Sequence, residues 1–146
     1  MEFQPLCLIN CFLAILGLAI YSFGSYRLYR FQKGYMMLLG IAIAIDIFTA
    51  VFASLGITPT VKLENSDTVP WESILFKMHV SFSMIGFGGF IILFIYLLFT
   101  HSSKISLFIR KWQFLGLLPI WIIGESIALV NSILKITFGI RLFDII

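Results

Sequence analysis

Four long apolar runs alternate with short polar connections along the chain, at roughly residues 5–26, 35–57, 74–100 and 113–134. Each reaches or exceeds the ~20 residues that an α-helix needs to cross a ~30 Å hydrocarbon layer. The runs are continuous and lack period-two alternation, which excludes barrel strands. The pattern predicts an all-α integral membrane protein with four transmembrane helices in one domain, residues 1–146. Short links make sequential helices antiparallel neighbours, so the expected architecture is an up-and-down four-helix transmembrane bundle. The first run reads as a membrane helix and not a cleavable signal, because it opens on Met1-Glu2 and is too long for the apolar centre of one.

Composition agrees. Hydrophobic residues make up 60% of the chain and charged residues 12%, half the ~25% usual in soluble domains. The net charge of +3 would suggest nucleic acid in a soluble protein. Here the basic residues are placed by topology, and the partner expected first is the lipid bilayer, with no nucleic acid. Arg27, Arg30 and Lys33 follow the first run, and Lys104, Arg110 and Lys111 precede the fourth, with no acidic residue in either connection. The connection 58–73 sets Lys62 against Glu64, Asp67 and Glu72. The positive-inside rule therefore predicts the two basic connections in the cytoplasm and both termini outside. Tyr26, Tyr29, Tyr35 and Trp112 fit an inner aromatic belt and Trp71 an outer one. Between Pro59 and Pro70 the polar connection reads as a solvated linker.

Ionisable residues at membrane depth are costly and face the bundle interior. There are three: Asp46 at the centre of the second run, Glu125 near the centre of the fourth, and His79 early in the third. Both carboxylates fall near the midplane, where desolvation and mutual repulsion disfavour two charges at once. Thr49, Ser126 or a backbone carbonyl could satisfy a protonated carboxyl; proton handling is the functional alternative. His79 lies ~12 Å outward of its helix centre, level with Asn131, to which or to a carbonyl it could donate.

The stretch KMHVSFSMIGFGG carries a further pattern. His79, Ser83 and Gly86 share a helix face by i, i+4, i+7 spacing, and Gly86, Gly88 and Gly89 remove bulk from the next turn. Small residues usually admit a neighbouring helix; they could equally leave a slot for haem b, with its iron on the imidazole. His101 is ~33 Å further along, so one haem could not use both histidines. The sixth position would stay open, or be filled from a partner chain by Met78, Met84 or a second His79 in a homodimer. Cys7 and Cys11, one turn apart at the level of His79, could with it hold copper(I), but free cysteine is more often a small buried hydrophobe. There is no zinc spacing, P-loop, dinucleotide fingerprint or nucleophile elbow, so no enzymatic activity is expected.

On these residues the chain resembles the HsmA-like family of small four-helix bacterial membrane proteins, and more distantly the small membrane proteins of cytochrome oxidase maturation. The resemblance rests on YSFGSYRLYRFQKGYMMLLGIAIAIDIFTAVFASLGI and KMHVSF. In that family an acidic residue in mid-helix two precedes a histidine early in helix three, positions that Asp46 and His79 match. It implies an inner-membrane protein that binds or sequesters haem. The chain departs from that family late in helix three, where members carry a second histidine and this chain has Leu93, Phe94, Ile95 and Tyr96.

The leading expectation from sequence is thus a non-enzymatic membrane protein binding haem through His79, with Ser83, Gly86 and Asn131 around the ligand. The alternatives are an accessory or assembly subunit of a larger respiratory-type membrane complex, and a proton-coupled carrier using Asp46 and Glu125. The carrier ranks last at this level, because the runs show neither breaks nor paired repeats.

Overall fold

The computed structural model describes residues 5–54, 74–100 and 104–138. The connection 58–73, Trp71, His101 and the side chain of Cys7 lie outside the described residues. Regular structure among them is entirely helical: α1 (Pro5–Tyr29), α2 (Tyr35–Ser54), α3 (Ile74–Phe99), α4 (Leu107–Trp112) and α5 (Leu118–Phe138), with a π turn, Gln113–Leu117, joining α4 to α5. Three rods are long and apolar enough to cross a membrane: Leu8–Tyr29, Ile74–Phe99 and Leu107–Phe138. The apolar stretch of α2, Tyr35–Val51, is shorter, ~26 Å. Phe12, Met84, Ile92 and Leu98 are exposed, as befits helices that are apolar all round and surrounded by lipid.

The last rod starts earlier than its apolar run. Ser106 caps it, its hydroxyl accepting from Ile109 N at 3.3 Å, so Arg110 and Lys111 are helical residues and not a loop. The π turn has a local cause in Pro119. A proline inside a helix has no N–H to give and its ring crowds the carbonyl four residues back, here that of Leu115. Inserting one residue into the preceding turn relieves that crowding.

Between α1 and α2 the chain reverses tightly. Gln32 N donates to Arg27 O at 2.8 Å and Phe31 N to Leu28 O at 3.0 Å, the paired bonds of a Schellman cap. Phe31 takes the left-handed position, φ 57°, and Gly34 follows at φ 87°. The Arg110 guanidinium lies 4.7 Å over the Phe31 ring and Nη1 donates to Tyr29 O at 3.3 Å. The two basic connections therefore meet at one end of the bundle, as their charge pattern predicts.

Packing is uneven. α1 lies along α2 and also meets α5, α3 lies along α5, and α2 touches α3 only lightly. Tyr21, Phe90 and Trp121 interlock at the centre: Tyr21 is 3.7 Å from Phe90 and 4.6 Å, edge-on, from Trp121 between ring centroids. Glycines bring α3 against α5. A Cβ at Gly86 would lie 2.7 Å from Trp121 Cα, and one at Gly124 would lie 2.8 Å from Ser83 N.

Candidate functional site

Four helices converge on a cavity of about 300 Å³. α1 supplies Asn10 and Cys11, α2 Asp46 and Thr49, α3 His79 and Ser83, α5 Glu125 and Ser132. Ala14, Ala50, Phe87 and Met84 complete an apolar wall. Asp46, Glu125 and His79, far apart in the chain, thus face one space. Its volume is at the small end of ligand sites, which run about 300–1,000 Å³.

Hydrogen bonding fixes the imidazole. Its Nδ1 lies 2.8 Å from the Gly124 carbonyl oxygen. That oxygen can only accept, so Nδ1 carries the hydrogen and the neutral ring has its lone pair on Nε2. The approach is possible because Gly124 lacks a side chain where Ser83 and the Phe82 backbone press against it. Ser83 Oγ is 3.3 Å from the same nitrogen and donates to Glu125 Oε1 at 3.4 Å. The carbonyl option for His79 is thus realised; Asn131 is half-buried, and its neighbour Ser132 lines the cavity.

The hydroxyls around the carboxyls are arranged differently from expectation. Thr49 turns back to its own helix, donating to the Asp46 main-chain oxygen at 2.9 Å, and Ser83 instead of Ser126 serves Glu125. Glu125 lies within electrostatic reach of both Asp46 and His79. The Trp121 indole N–H is directed at Asp46 without a hydrogen bond of ordinary geometry. Among the described residues no lysine or arginine lines the cavity, where His79 is the titratable group that faces the two carboxyls.

The slot for a flat macrocycle beside His79 is filled. Trp121 main chain occupies the space over Gly86, and Leu117 Cδ2 would lie 2.6 Å from a Cβ at Gly89. Gly88 has open space around it, but nine residues from His79 it points to the opposite helix face. These glycines let helices approach, the commoner use of small residues in a bundle. Gly86 is therefore a packing residue and no part of a ligand wall. Among the described residues, no three His, Cys, Asp or Glu side chains group closely enough to hold a metal ion; Cys11 lines the cavity.

Residues that the pattern of charge did not single out complete the arrangement. Asn10 joins the cavity, and below it Tyr21, Ser25 and Gln113 form a buried polar cluster in which Gln113 Nε2 donates to Ser25 Oγ. The i, i+4 spacing of Tyr21 and Ser25 on an apolar helix was the available signal. No family model, curated protein or solved structure matches the chain.

Proposed function

We propose that the protein is a membrane-embedded, non-enzymatic carrier that takes a small cation into its interhelical cavity and exchanges protons at Asp46 and Glu125. One observation carries this reading: both membrane-depth carboxylates and His79 line a single cavity whose wall, among the described residues, holds no lysine or arginine. Carriers bind substrate and coupling ion near the midplane, the depth that the apolar runs predict for both carboxylates; the π turn at Gln113–Leu117 lies below the cavity on the rod that carries Glu125. With the basic connections in the cytoplasm, the cavity lies toward the outer leaflet.

Proteoliposomes test this directly. Vesicles loaded with sodium or potassium and diluted into buffer free of that cation should take up protons, read by an entrapped pH dye, faster than protein-free vesicles. Asp46→Asn and Glu125→Gln should each slow it several-fold. Uptake equal to that of protein-free vesicles under all these conditions overturns the reading.

A second reading, haem binding, is favoured by the Nδ1–H bond to Gly124 O, because such a bond is how proteins orient a ligating imidazole. The filled space at Gly86 and Gly89 stands against it. Protein purified after expression with ample haem decides the matter: a Soret band lost in His79→Ala supports haem, and its absence from the wild type removes it.

A further inference from the structure

Six buried side-chain polar atoms among the described residues make no hydrogen bond of ordinary geometry: Asn10 Oδ1, Trp121 Nε1, Tyr21 OH, Gln113 Oε1, Arg110 Nε and Arg27 Nε. Of these, the Tyr21 hydroxyl lies toward Gln113 and Ser25 and the Trp121 N–H toward Asp46. Ordered by height along α1 and the α4–α5 rod, they run from the cavity to the basic end of the bundle. Tyr21 and Gln113 are fully buried and Trp121 is 1% exposed, so bulk solvent cannot serve them. Leaving such a group unpaired carries the full penalty of its desolvation, and native proteins rarely accept several such penalties together.

Position supports a connected set. Trp121 is one turn below Glu125 and faces Asp46. Tyr21 meets Trp121 edge-on at 4.6 Å and lies beside Gln113 and Ser25. Gln113, ~12 Å below Trp121 along the rod, opens the π turn, a feature that recurs at functional sites. One turn beyond it is Arg110, whose Nη1 bonds Tyr29 O. Buried water typically makes about three hydrogen bonds to groups of this kind, at roughly one water per 27 residues. A chain of this length would thus carry a handful, comparable with the number of atoms awaiting partners.

We propose that Tyr21, Ser25, Gln113 and Trp121 enclose ordered water that continues the cavity toward the basic end of the bundle, forming a hydrated path through the apolar core. This goes beyond the carrier reading and is tested apart from it. The dry alternative is a turned Gln113 amide that donates to Tyr21 directly.

Radiolytic hydroxyl-radical labelling of the full chain in lipid nanodiscs, mapped by mass spectrometry, distinguishes the two. Radicals generated from bound water oxidise the side chains beside it. After correction for intrinsic reactivity, Tyr21 and Trp121 should be labelled several-fold above the equally buried Leu28 and Leu39, and Gln113→Leu should reduce that labelling. Labelling of Tyr21 and Trp121 at the level of Leu28 and Leu39 in the wild type overturns the proposal, whatever the variant does. Labelling without proton uptake would leave the path standing and remove the carrier; uptake without labelling would do the reverse.

Discussion

His79 Nδ1 donates to the Gly124 carbonyl oxygen across the α3–α5 interface at 2.8 Å. One bond therefore ties the cavity's imidazole to the helix that carries Glu125, and Ser83, hydrogen-bonded toward both, closes the link. A side chain reaching a helical carbonyl this way requires the two backbones to be unusually near. Gly86 and Gly124 provide that on opposite helices.

The bond should be measurable as stability. His79→Phe removes the donor while keeping a ring in place, and should lower unfolding free energy by about 1 kcal/mol, the usual net worth of one such bond. Thermal unfolding in mild detergent reads the change. His79→Gln, which retains a donor, should recover part of it.

Glycines on α3 offer a paired comparison. Gly86→Ala would place a methyl 2.7 Å from Trp121 Cα, against main chain that cannot swing aside. Overpacking of this kind costs about 1–3 kcal/mol. Gly88→Ala meets nothing within 4 Å and should be neutral or gain up to ~1 kcal/mol from helix propensity. Equal effects in thermal unfolding would contradict the packing described for α3 and α5.

At the basic end, Gly34 sits at φ 87° with Arg27 Nη1 3.2 Å from the position of a Cβ. Gly34→Ala should destabilise by about 1–2 kcal/mol through the left-handed backbone alone. A turn at this position that tolerates alanine without a change in melting temperature would mean that the reversal adopts another conformation.

Orientation has its own test. In a variant lacking Cys7 and Cys11, Lys33→Cys and Ile74→Cys place thiols at exposed positions at opposite ends of the bundle. A membrane-impermeant thiol reagent should label Ile74→Cys in intact cells and Lys33→Cys only after permeabilisation. The reverse pattern would invert the topology.

The helices were legible in the sequence because a continuous apolar run of this length has few other uses, and the basic connections because charge is read without knowing the fold. Depth also placed Asp46 and Glu125 together near the midplane, but it set His79 further outward, level with Asn131, and only the folded chain brings all three to one cavity. Rotation about the helix axes was not legible: nothing in the spacing says which neighbour Gly86 faces, so a surface for Trp121 looked like room for a ligand. Gln113 was hidden for a related reason. It stands at the start of an apolar run, where a glutamine passes for a boundary residue, and only the folded chain buries it against Ser25.

The extra residue at Gln113–Leu117 also sets angular phase. In an uninterrupted α-helix, twelve residues separate Gln113 from Glu125 by about 120° of azimuth, and eight residues separate it from Trp121 by about 80°. Counting one residue fewer brings both within about 20° of Gln113. A proline that forces a local insertion thereby aligns the amide, the indole and the carboxylate on the same inward-facing line, and deleting one residue of that turn would throw the outer half of the rod out of register with α3.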